Sequence, residues 1–367
     1  MNSKILNCYR KRLDLVFGLH FQCKLFKLDS NTVIMLVIMF VSSKRYTANQ
    51  ALKHPWIQQQ GASQQREVRQ REARQVDSVH GYAVEGHFVE GHFVQGHSVQ
   101  EDHVQGDAVH KSPLTDHFLV EKTILDSGAC GKIVTVWHKE TKHERVAKIQ
   151  QIANEDDLNF ILKEIRVHSI VNNHPHVVKI FEAYQEEKSI AIIMEKINGK
   201  NLYDHAKNTK QLPLESTVIR WTSQLLQAFS FMHEKHIAHL DVKPENILLL
   251  DNDCGGEVKI CDFGCAQVVG RNGVYISNPQ GTALYNSPEM VDCTTTRVCV
   301  KSDIFSLGLV VHFVLSHKDL FDKDESFSRE EVFHRIKHQV IHFDTSLNIR
   351  STAALDFMTK LIERNRW

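Results

Sequence analysis

The chain has 367 residues, of which 44 are basic and 44 are acidic, so its formal net charge is zero. This balance gives no indication of a nucleic acid or an anionic membrane as a partner. The eight cysteines follow neither a disulfide framework nor the spacing of zinc ligands. The sequence therefore predicts a reduced, cytoplasmic protein with room for one large domain and an extension.

Residues 1–43 contain the apolar run Val33–Val41, which is shorter than the ~20 residues needed to span a bilayer. Charged residues such as Lys24 and Asp29 separate this run from the basic residues near the start, so the segment is a poor signal peptide. We expect no membrane span here. The status of the segment stays open, since a translated non-coding stretch is an alternative to a coded extension.

Residues 58–114 are predicted to be a low-complexity linker. Their first part is rich in Gln, Arg and Glu, and a five-residue repeat headed by glycine follows. This period matches neither a helix nor a strand. The repeat carries His87, His92 and His97, which are candidate ligands for a transition metal. A flexible spacer is the simpler interpretation.

The next part of the chain alternates strand-like and helical patterns. Phe118–Val120 and Ile133–Val136 are strand-like and flank a turn with Gly128 and Gly131, where a missing Cβ would let backbone N–H groups approach a phosphate. Such a pair of glycines alone is more often a surface turn. Ile190–Met194 reads as a buried strand. Apolar side chains at helical spacing then predict the core face of a long helix: Val218, Trp221, Leu225, Phe229 and Met232.

Two later motifs carry recognisable chemistry. His239–Asn246 reads His-Leu-Asp-Val-Lys-Pro-Glu-Asn, and Asp262–Gly264 reads Asp-Phe-Gly. Together they place two acidic groups, an amide and a lysine on nearby loops, a set that suits phosphoryl transfer. Asp and Asn are also common in turns, but turns do not explain the ordered pair of motifs.

Each residue of this set has a role in such a reaction. Asp241 would accept the hydrogen bond of an attacking hydroxyl, and Lys243 would reach the phosphoryl group that moves. Asn246 and Asp262 would hold Mg²⁺, a hard cation that prefers oxygen ligands.

The order of these motifs resembles the eukaryotic protein kinase family, and the resemblance covers a domain at 115–367. It implies an α+β, two-lobed protein kinase fold. A small β-rich N-lobe with one key helix would cover about 115–195, and a larger, mostly helical C-lobe about 199–367. Lys243 together with Thr282 indicates the serine/threonine type.

The resemblance also implies an ATP site. Its expected residues are Asp126, Ser127, Gly128, Ala129, Cys130, Gly131, Ile133, Val146, Lys148, Glu164, Met194, Glu195, Ile197, Glu245 and Leu248. Lys148 and Glu164 match the strand lysine and helical glutamate that pair in this family, and Met194 would gate the pocket behind the adenine. Asp126 stands where the family has glycine and would put a carboxylate near the polyphosphate.

Two further departures concern regulation. His168 occupies a helical position where the family usually has Leu, and it should pack against Phe263 and His239; we favour a core histidine over a switch. Leu240 replaces the arginine that usually binds a phosphate on the activation segment. We therefore expect that segment, Cys265–Gln280, to order without phosphorylation.

Within the family, His239–Asn246 resembles the calmodulin-dependent kinase group, especially myosin light-chain kinases and death-associated kinases. Ser287 before Pro288 resembles the former and Val171–Pro175 the latter, whereas Gly281–Tyr285 departs from both. The resemblance implies a protein substrate with Ser or Thr, and it leaves open a calmodulin-type regulator outside this chain.

Residues 44–57 resemble the last helix of a kinase C-lobe, which in this family follows the sequence Leu361–Trp367. The domain is therefore expected to lack its last helix. Arg45 matches the arginine that pairs with Glu289 in the family. Either this segment docks back onto the C-lobe, or the chain is marginally stable. We expect the latter, because a fragment of a tandem-kinase protein is the simpler origin.

The sequence thus predicts a serine/threonine kinase that transfers the γ-phosphate of ATP. The alternative is a catalytically weak pseudokinase scaffold, which Asp126, His168 and the missing last helix favour. The residues that favour the enzyme form a complete set: Lys148, Glu164, Asp241, Asn246 and Asp262.

Overall fold

The computed structural model describes residues 45–59, 109–128, 131–209, 211–251, 256–270, 273–275, 281–291, 297–322, 327–341, 343 and 351–364. Residues 1–43, the repeat with its three histidines, and the loop residues Ala129 and Cys130 lie outside these ranges. Within them, no helix is long and apolar enough to cross a membrane.

The strands are β1 (Val109–His110), β2 (Phe118–Gly128), β3 (Gly131–His138), β4 (Glu144–Gln151), β5 (Ile180–Gln185), β6 (Ser189–Met194), β7 (Ile237–Ala238), β8 (Ile247–Leu249), β9 (Val258–Ile260), β10 (Gln267–Val268), β11 (Val274–Tyr275) and β12 (Arg297–Val298). The helices are α1 (Ala48–Leu52), α2 (Pro55–Gln58), α3 (Leu114–His117), α4 (Glu155–Val171), α5 (Leu202–Asn208), α6 (Glu215–Glu234), α7 (Lys301–Ser316), α8 (Arg329–His338) and α9 (Thr352–Leu361).

The N-lobe is a six-stranded sheet in the order β1-β5-β6-β4-β3-β2, against which helix α4 packs. β6 lies between β5 and β4, so its apolar run is buried as the sequence predicted. Helix α4 begins where the Asn154 side chain accepts the N–H of Asp157 at 2.9 Å. Acidic residues occupy its first turn, where they interact favourably with the positive end of the helix dipole.

The C-lobe is built around two long helices. The predicted core face of α6, from Val218 to Met232, is buried, which confirms that part of the helical pattern. Helix α7 is buried along its length from Ser302 to Ser316. A Cβ on Gly308 would lie 2.4 Å from Cγ2 of Ile362, so the glycine permits close contact between α7 and the end of α9.

Residues 45–59, which we call the closing segment, pack against the C-lobe. α1 contacts α6, and the Trp56 ring is fully buried against Phe357 of α9, with centroids 4.8 Å apart. Trp56 Nε1 donates to Glu215 Oε1 at 2.6 Å. Of the two alternatives left by the sequence, the structure shows the docked one, and the expected gap in the C-lobe is occupied. Burial of the large Trp56 ring stabilises the docked segment, and its polar nitrogen keeps a hydrogen-bond partner.

Candidate active site

A buried lysine joins the two lobes at the centre of the site. Lys148 of β4 donates to Glu164 of α4 at 2.6 Å and to Oδ1 of Asp262 at 2.8 Å. Gln150 lies two residues farther along β4, on the same face of the strand. It donates to the second oxygen of Glu164 at 2.8 Å. The sequence paired Lys148 with Glu164 but assigned no role to Gln150.

The charges of this group support one another. Burial lowers the pKa of Lys148, but the carboxylates of Glu164 and Asp262 outweigh it, so the pKa lies above its ordinary value. Burial raises the pKa of Asp262, and the Lys148 ammonium reverses that effect, so the pKa lies below its ordinary value. Lys148 is therefore cationic and Asp262 anionic at neutral pH, the states that suit a phosphate and a cation.

The loop that leads to Asp241 is held by one buried carboxylate. Asp303 of α7 accepts the N–H of His239 at 2.9 Å and that of Leu240 at 2.8 Å, and it contacts the His233 ring at 2.9 Å. Leu240 has a φ of 63°, the left-handed region that few non-glycine residues adopt. In the sequence, Asp303 is a single acidic residue at the start of an apolar helix, a signal that does not show which loop it will bind.

Asp241 is surrounded by hydrogen-bond donors. Its Oδ1 accepts the Thr282 N–H at 3.0 Å and hydroxyl at 3.3 Å. Its Oδ2 accepts Asn246 Nδ2 at 3.0 Å and lies 2.9 Å from Lys243 Nζ. Burial lowers the pKa of Lys243, but the neighbouring Asp241 carboxylate raises it by more, so the pKa lies above its ordinary value. The carboxylate is thus fixed in orientation beside a cation.

The two predicted Mg²⁺ ligands lie on loops that a backbone hydrogen bond joins. The N–H of Cys261 donates to the carbonyl of Asn246 at 2.9 Å, immediately before Asp262. The Asn246 amide nitrogen donates to Asp241, so the amide oxygen takes no part in that contact. An amide oxygen and a carboxylate fit a hard cation. Among the described residues, no group of three or more His, Cys, Asp or Glu side chains forms an alternative metal site.

The residues expected around the adenine pack in one apolar cluster. Its members from that set are Ile133, Val146, Met194, Ile197 and Leu248. The backbone after β6 is fixed by Glu195, whose N–H donates to the Lys179 carbonyl at 2.9 Å. The Glu195 carboxylate also accepts Lys259 Nζ at 2.6 Å. The structure therefore gathers residues from both lobes into one apolar wall.

The turn between β2 and β3 has one position that only glycine fits. Gly131 has a φ of 114°, and a Cβ there would lie 2.5 Å from the Ile149 carbonyl oxygen. Asp126 is exposed, and its Oδ1 accepts the N–H of Ser127 at 2.7 Å. The unusual carboxylate is therefore partly engaged by its own loop.

His168 is buried behind the loop that carries Asp262. Its ring stacks on Phe263 with centroids 4.4 Å apart, and Phe263 contacts the His239 ring at 5.0 Å. His168 Nε2 lies 2.6 Å from the Val178 carbonyl, so this nitrogen carries the proton. Burial is the main cause that lowers the pKa of His168 to about 4. The ring is neutral near pH 7, as expected for a core histidine.

Leu240 lies in an apolar cluster where the family usually has a cationic side chain. The cluster includes Val269, Met290 and Val298, and Leu240 is 4% exposed. A phosphate at this place would be desolvated beside aliphatic side chains. The structure therefore gives the activation segment an apolar contact in place of a charged one.

Comparison with known proteins decides the family. The protein kinase domain matches residues 119–366. The chain belongs to the protein kinase family. The predicted resemblance is confirmed, and so is the two-lobed fold. The twitchin kinase region of Caenorhabditis elegans superposes with a TM-score of 0.62 at 24% identity, over 70% of this chain and 44% of that chain.

Two kinases illustrate the sequence similarity. The MAP kinase-interacting serine/threonine-protein kinase mnk-1 of Caenorhabditis elegans is 27% identical over 281 residues, which cover 68% of this chain and 39% of that protein. Myosin light chain kinase 2 of Bos taurus is 29% identical over 249 residues, with coverage of 68% and 39%. The chain spans well under half the length of these two relatives.

The buried histidine predicts a pH dependence of stability. Because the folded-state pKa of His168 is about 4, against an ordinary 6.5, the unfolded state binds the extra proton between these values. Stability should therefore fall as the pH falls through this window. Between pH 7 and pH 4.5, the free energy of unfolding measured with urea should fall by about 2 kcal/mol more in wild type than in His168→Leu.

The exposed His143 provides the matched control for this measurement. His143→Leu should lose as much stability as wild type over the same pH range. Equal losses in wild type and His168→Leu would show that the ring is not held neutral.

Proposed function

We propose that this domain transfers the γ-phosphate of ATP to serine or threonine hydroxyls of protein substrates. The observation that carries the proposal is the Asp241 carboxylate, held by Thr282 and Asn246 and paired with Lys243. A fixed carboxylate beside a cation suits a hydroxyl that must lose its proton as it attacks a phosphate.

The side chains divide the work of this reaction. Asp241 would accept the hydroxyl proton as the hydroxyl oxygen bonds to the γ-phosphorus and the bond to the departing ADP oxygen breaks. Lys243 would neutralise charge on the moving phosphoryl group, and Lys148 would bind the phosphates that stay behind. Asn246 and Asp262 would hold Mg²⁺, which supplies charge neutralisation when bound.

A weak pseudokinase scaffold is the competing proposal. Its support in the sequence was Asp126, His168 and the absent last helix. In the structure His168 is satisfied in the core and the closing segment covers the C-lobe. Asp126 remains in the loop expected to cover the phosphates, and its carboxylate accepts the Ser127 N–H. The complete ion-pair group at Lys148 favours the enzyme.

Two positions that are acidic in related kinases support a further proposal: an arginine upstream of the target hydroxyl contributes little to substrate selection. Kinases that select arginine upstream of the target use several carboxylates, and two such positions here are Asn201 and Phe313. Asn201 caps α5 by accepting the Asp204 N–H at 2.7 Å. Phe313 is buried and stacks on Tyr203 with centroids 5.8 Å apart. Of the family's acidic positions, Glu245 remains.

We also propose a cytoplasmic location and leave a calmodulin-type regulator as a partner outside this chain. The thiols of Cys261 and Cys299 are free, which fits a reducing compartment. Burial raises the pKa of Cys261 to about 12, so this thiol is unreactive at neutral pH. The regulator rests on the similarity to a myosin light chain kinase.

Asp241→Asn tests the reaction directly. It should lower kcat for transfer to a serine- or threonine-containing peptide by about 10²–10⁴-fold, because the amide cannot take the proton. Asp156→Asn, an exposed acidic residue on α4, is the matched control and should keep wild-type activity. Equal transfer by wild type and Asp241→Asn, measured with radiolabelled ATP, would remove the enzyme proposal.

Substrate selection can be read from a peptide array. Replacing an arginine three residues upstream of the target by alanine should change kcat/KM by about fivefold at most, the size expected for one exposed ion pair. Phe313 and Asn201 cannot supply the further carboxylates. Dominant selection for that arginine would contradict the proposal.

Activation should not need a phosphate on the activation segment. Because Leu240 is packed among aliphatic side chains, Tyr275→Phe and Ser277→Ala should each retain more than about half of the wild-type kcat/KM. The measurement uses protein treated with a phosphatase beforehand. A tenfold loss in both variants would mean that another basic residue binds a phosphate there.

A further inference from the structure

The carboxylate of Glu164 is held by two side chains of a single strand. Its Oε1 accepts Lys148 Nζ at 2.6 Å, and its Oε2 accepts Gln150 Nε2 at 2.8 Å. All three residues are buried. Because both donors lie on one face of β4, two residues apart, they fix the carboxylate in direction as well as in position.

The two donors differ in how firmly they belong to Glu164. The Lys148 ammonium also donates to Oδ1 of Asp262 at 2.8 Å, and in the proposed reaction it binds the phosphates of ATP as well. Its attraction to Glu164 is therefore shared with other anions. The Gln150 amide carries no charge, so an incoming phosphate does not draw it away from the Glu164 carboxylate.

Gln150 and Glu164 lie between the turn that joins β2 to β3 and the loop that carries Asp262. A Cβ on Gly131 would lie 3.1 Å from Cγ of Gln150, so the turn packs closely on this side chain. A Cβ on Gly264 would lie 3.6 Å from Oε2 of Glu164, the oxygen that Gln150 holds. Movement of this carboxylate should therefore also disturb the loop that carries Asp262.

We propose that Gln150 is a positioning residue for ATP. It holds the Glu164 carboxylate, and through Glu164 it keeps helix α4 against β4 and the Lys148 ammonium directed at the phosphates. This inference rests on the proposed kinase activity and adds a residue outside the expected ATP site. It assigns to Gln150 an effect on the binding of ATP and not on that of the peptide substrate.

The separation between ATP and peptide follows from the geometry. The donors that hold Asp241, where the acceptor hydroxyl would bind, are a different set: Thr282, Asn246 and Lys243. A change at Gln150 should therefore raise the KM for ATP, while the KM for peptide stays nearly constant.

The test compares Gln150→Met with Gln151→Met in the full chain. Gln150→Met removes the amide but keeps an unbranched side chain of similar length. Gln151→Met makes the same substitution at the next residue, which is exposed and points to the opposite face of β4. Gln150→Met should raise the KM for ATP about tenfold, the effect of losing one hydrogen bond to a charged group, and change the KM for peptide by about twofold or less. Gln151→Met should match wild type in both.

A double-mutant cycle shows whether Gln150 acts through Glu164. Gln150→Met and Glu164→Gln would be combined, and the dissociation constant of Mg²⁺-ATP would be measured by calorimetry without peptide. The double variant should bind Mg²⁺-ATP about as weakly as Glu164→Gln alone, because the amide has lost its partner there. Additive losses would overturn the inference, since they would mean that Gln150 acts by another route, such as its contact with Gly131.

Hydrogen exchange gives a readout that does not depend on turnover. Amides of α4 around Glu164 should exchange faster in Gln150→Met than in wild type, while those of α6 in the C-lobe stay unchanged. Gln150→Leu carries the same expectation and replaces Gln150→Met if the methionine variant does not fold. Wild-type exchange in α4 together with a wild-type KM for ATP would overturn the inference. Equal increases of the ATP and peptide KM values would also overturn it, because they indicate general loosening.

Failure of the proposed function is recognised separately. If wild type binds Mg²⁺-ATP but transfers no phosphate, the kinase proposal fails, yet weaker binding and faster exchange in α4 of Gln150→Met would still support the role of Gln150. If wild type is active and Gln150→Met keeps the wild-type KM for ATP, the positioning role fails while the kinase proposal stands.

Discussion

The buried ammonium of Lys148 is the interaction on which the rest of the site depends. It binds a carboxylate from helix α4 and one from the loop that carries Asp262, so a strand, a helix and a loop meet at one charge. Removing one partner would leave a charge uncompensated in a poorly solvated place, which makes the arrangement close to all-or-none. His168 and Phe263 pack behind the same loop and support the orientation of Asp262.

The C-lobe uses buried polar groups in the same way. Asp303 orders the backbone that carries Asp241, and Arg45 binds Glu289 in the segment 281–291, whose Thr282 donates to Asp241. Burial raises the pKa of Glu289, but the Arg45 guanidinium reverses the effect and holds it below the ordinary value. The geometry around Asp241 is therefore set by charged groups outside the predicted catalytic set. Such groups are costly to bury unpaired, which makes their partners indispensable.

Most residues of the candidate site could be predicted from the sequence because they lie in short motifs. Asp241 and Asn246 are five positions apart, and Lys148 lies in a strand of ordinary pattern. The Arg45–Glu289 pair was predicted although it spans 244 positions, because residues 44–57 themselves form a short motif of the family. That motif did not decide between docking of the segment and marginal stability of the chain, since the choice depends on tertiary contacts such as that of Trp56 with Phe357. The role of Gln150 was missed for a similar reason: a glutamine on a strand does not reveal which carboxylate it will meet. The stacking of His168 was anticipated, whereas its bond to Val178 depends on how α4 approaches the sheet.

The central claim is that the Lys148 group is assembled for catalysis, and a double-mutant cycle on phosphate transfer tests it most directly. Lys148→Met and Glu164→Gln would be measured singly and together in the full chain. Residues that act as one unit give non-additive losses. The account predicts an active wild type, a loss of about 10²-fold or more in each single variant, and a double variant no worse than the poorer single one. Additive losses, or single variants as active as wild type, would contradict it.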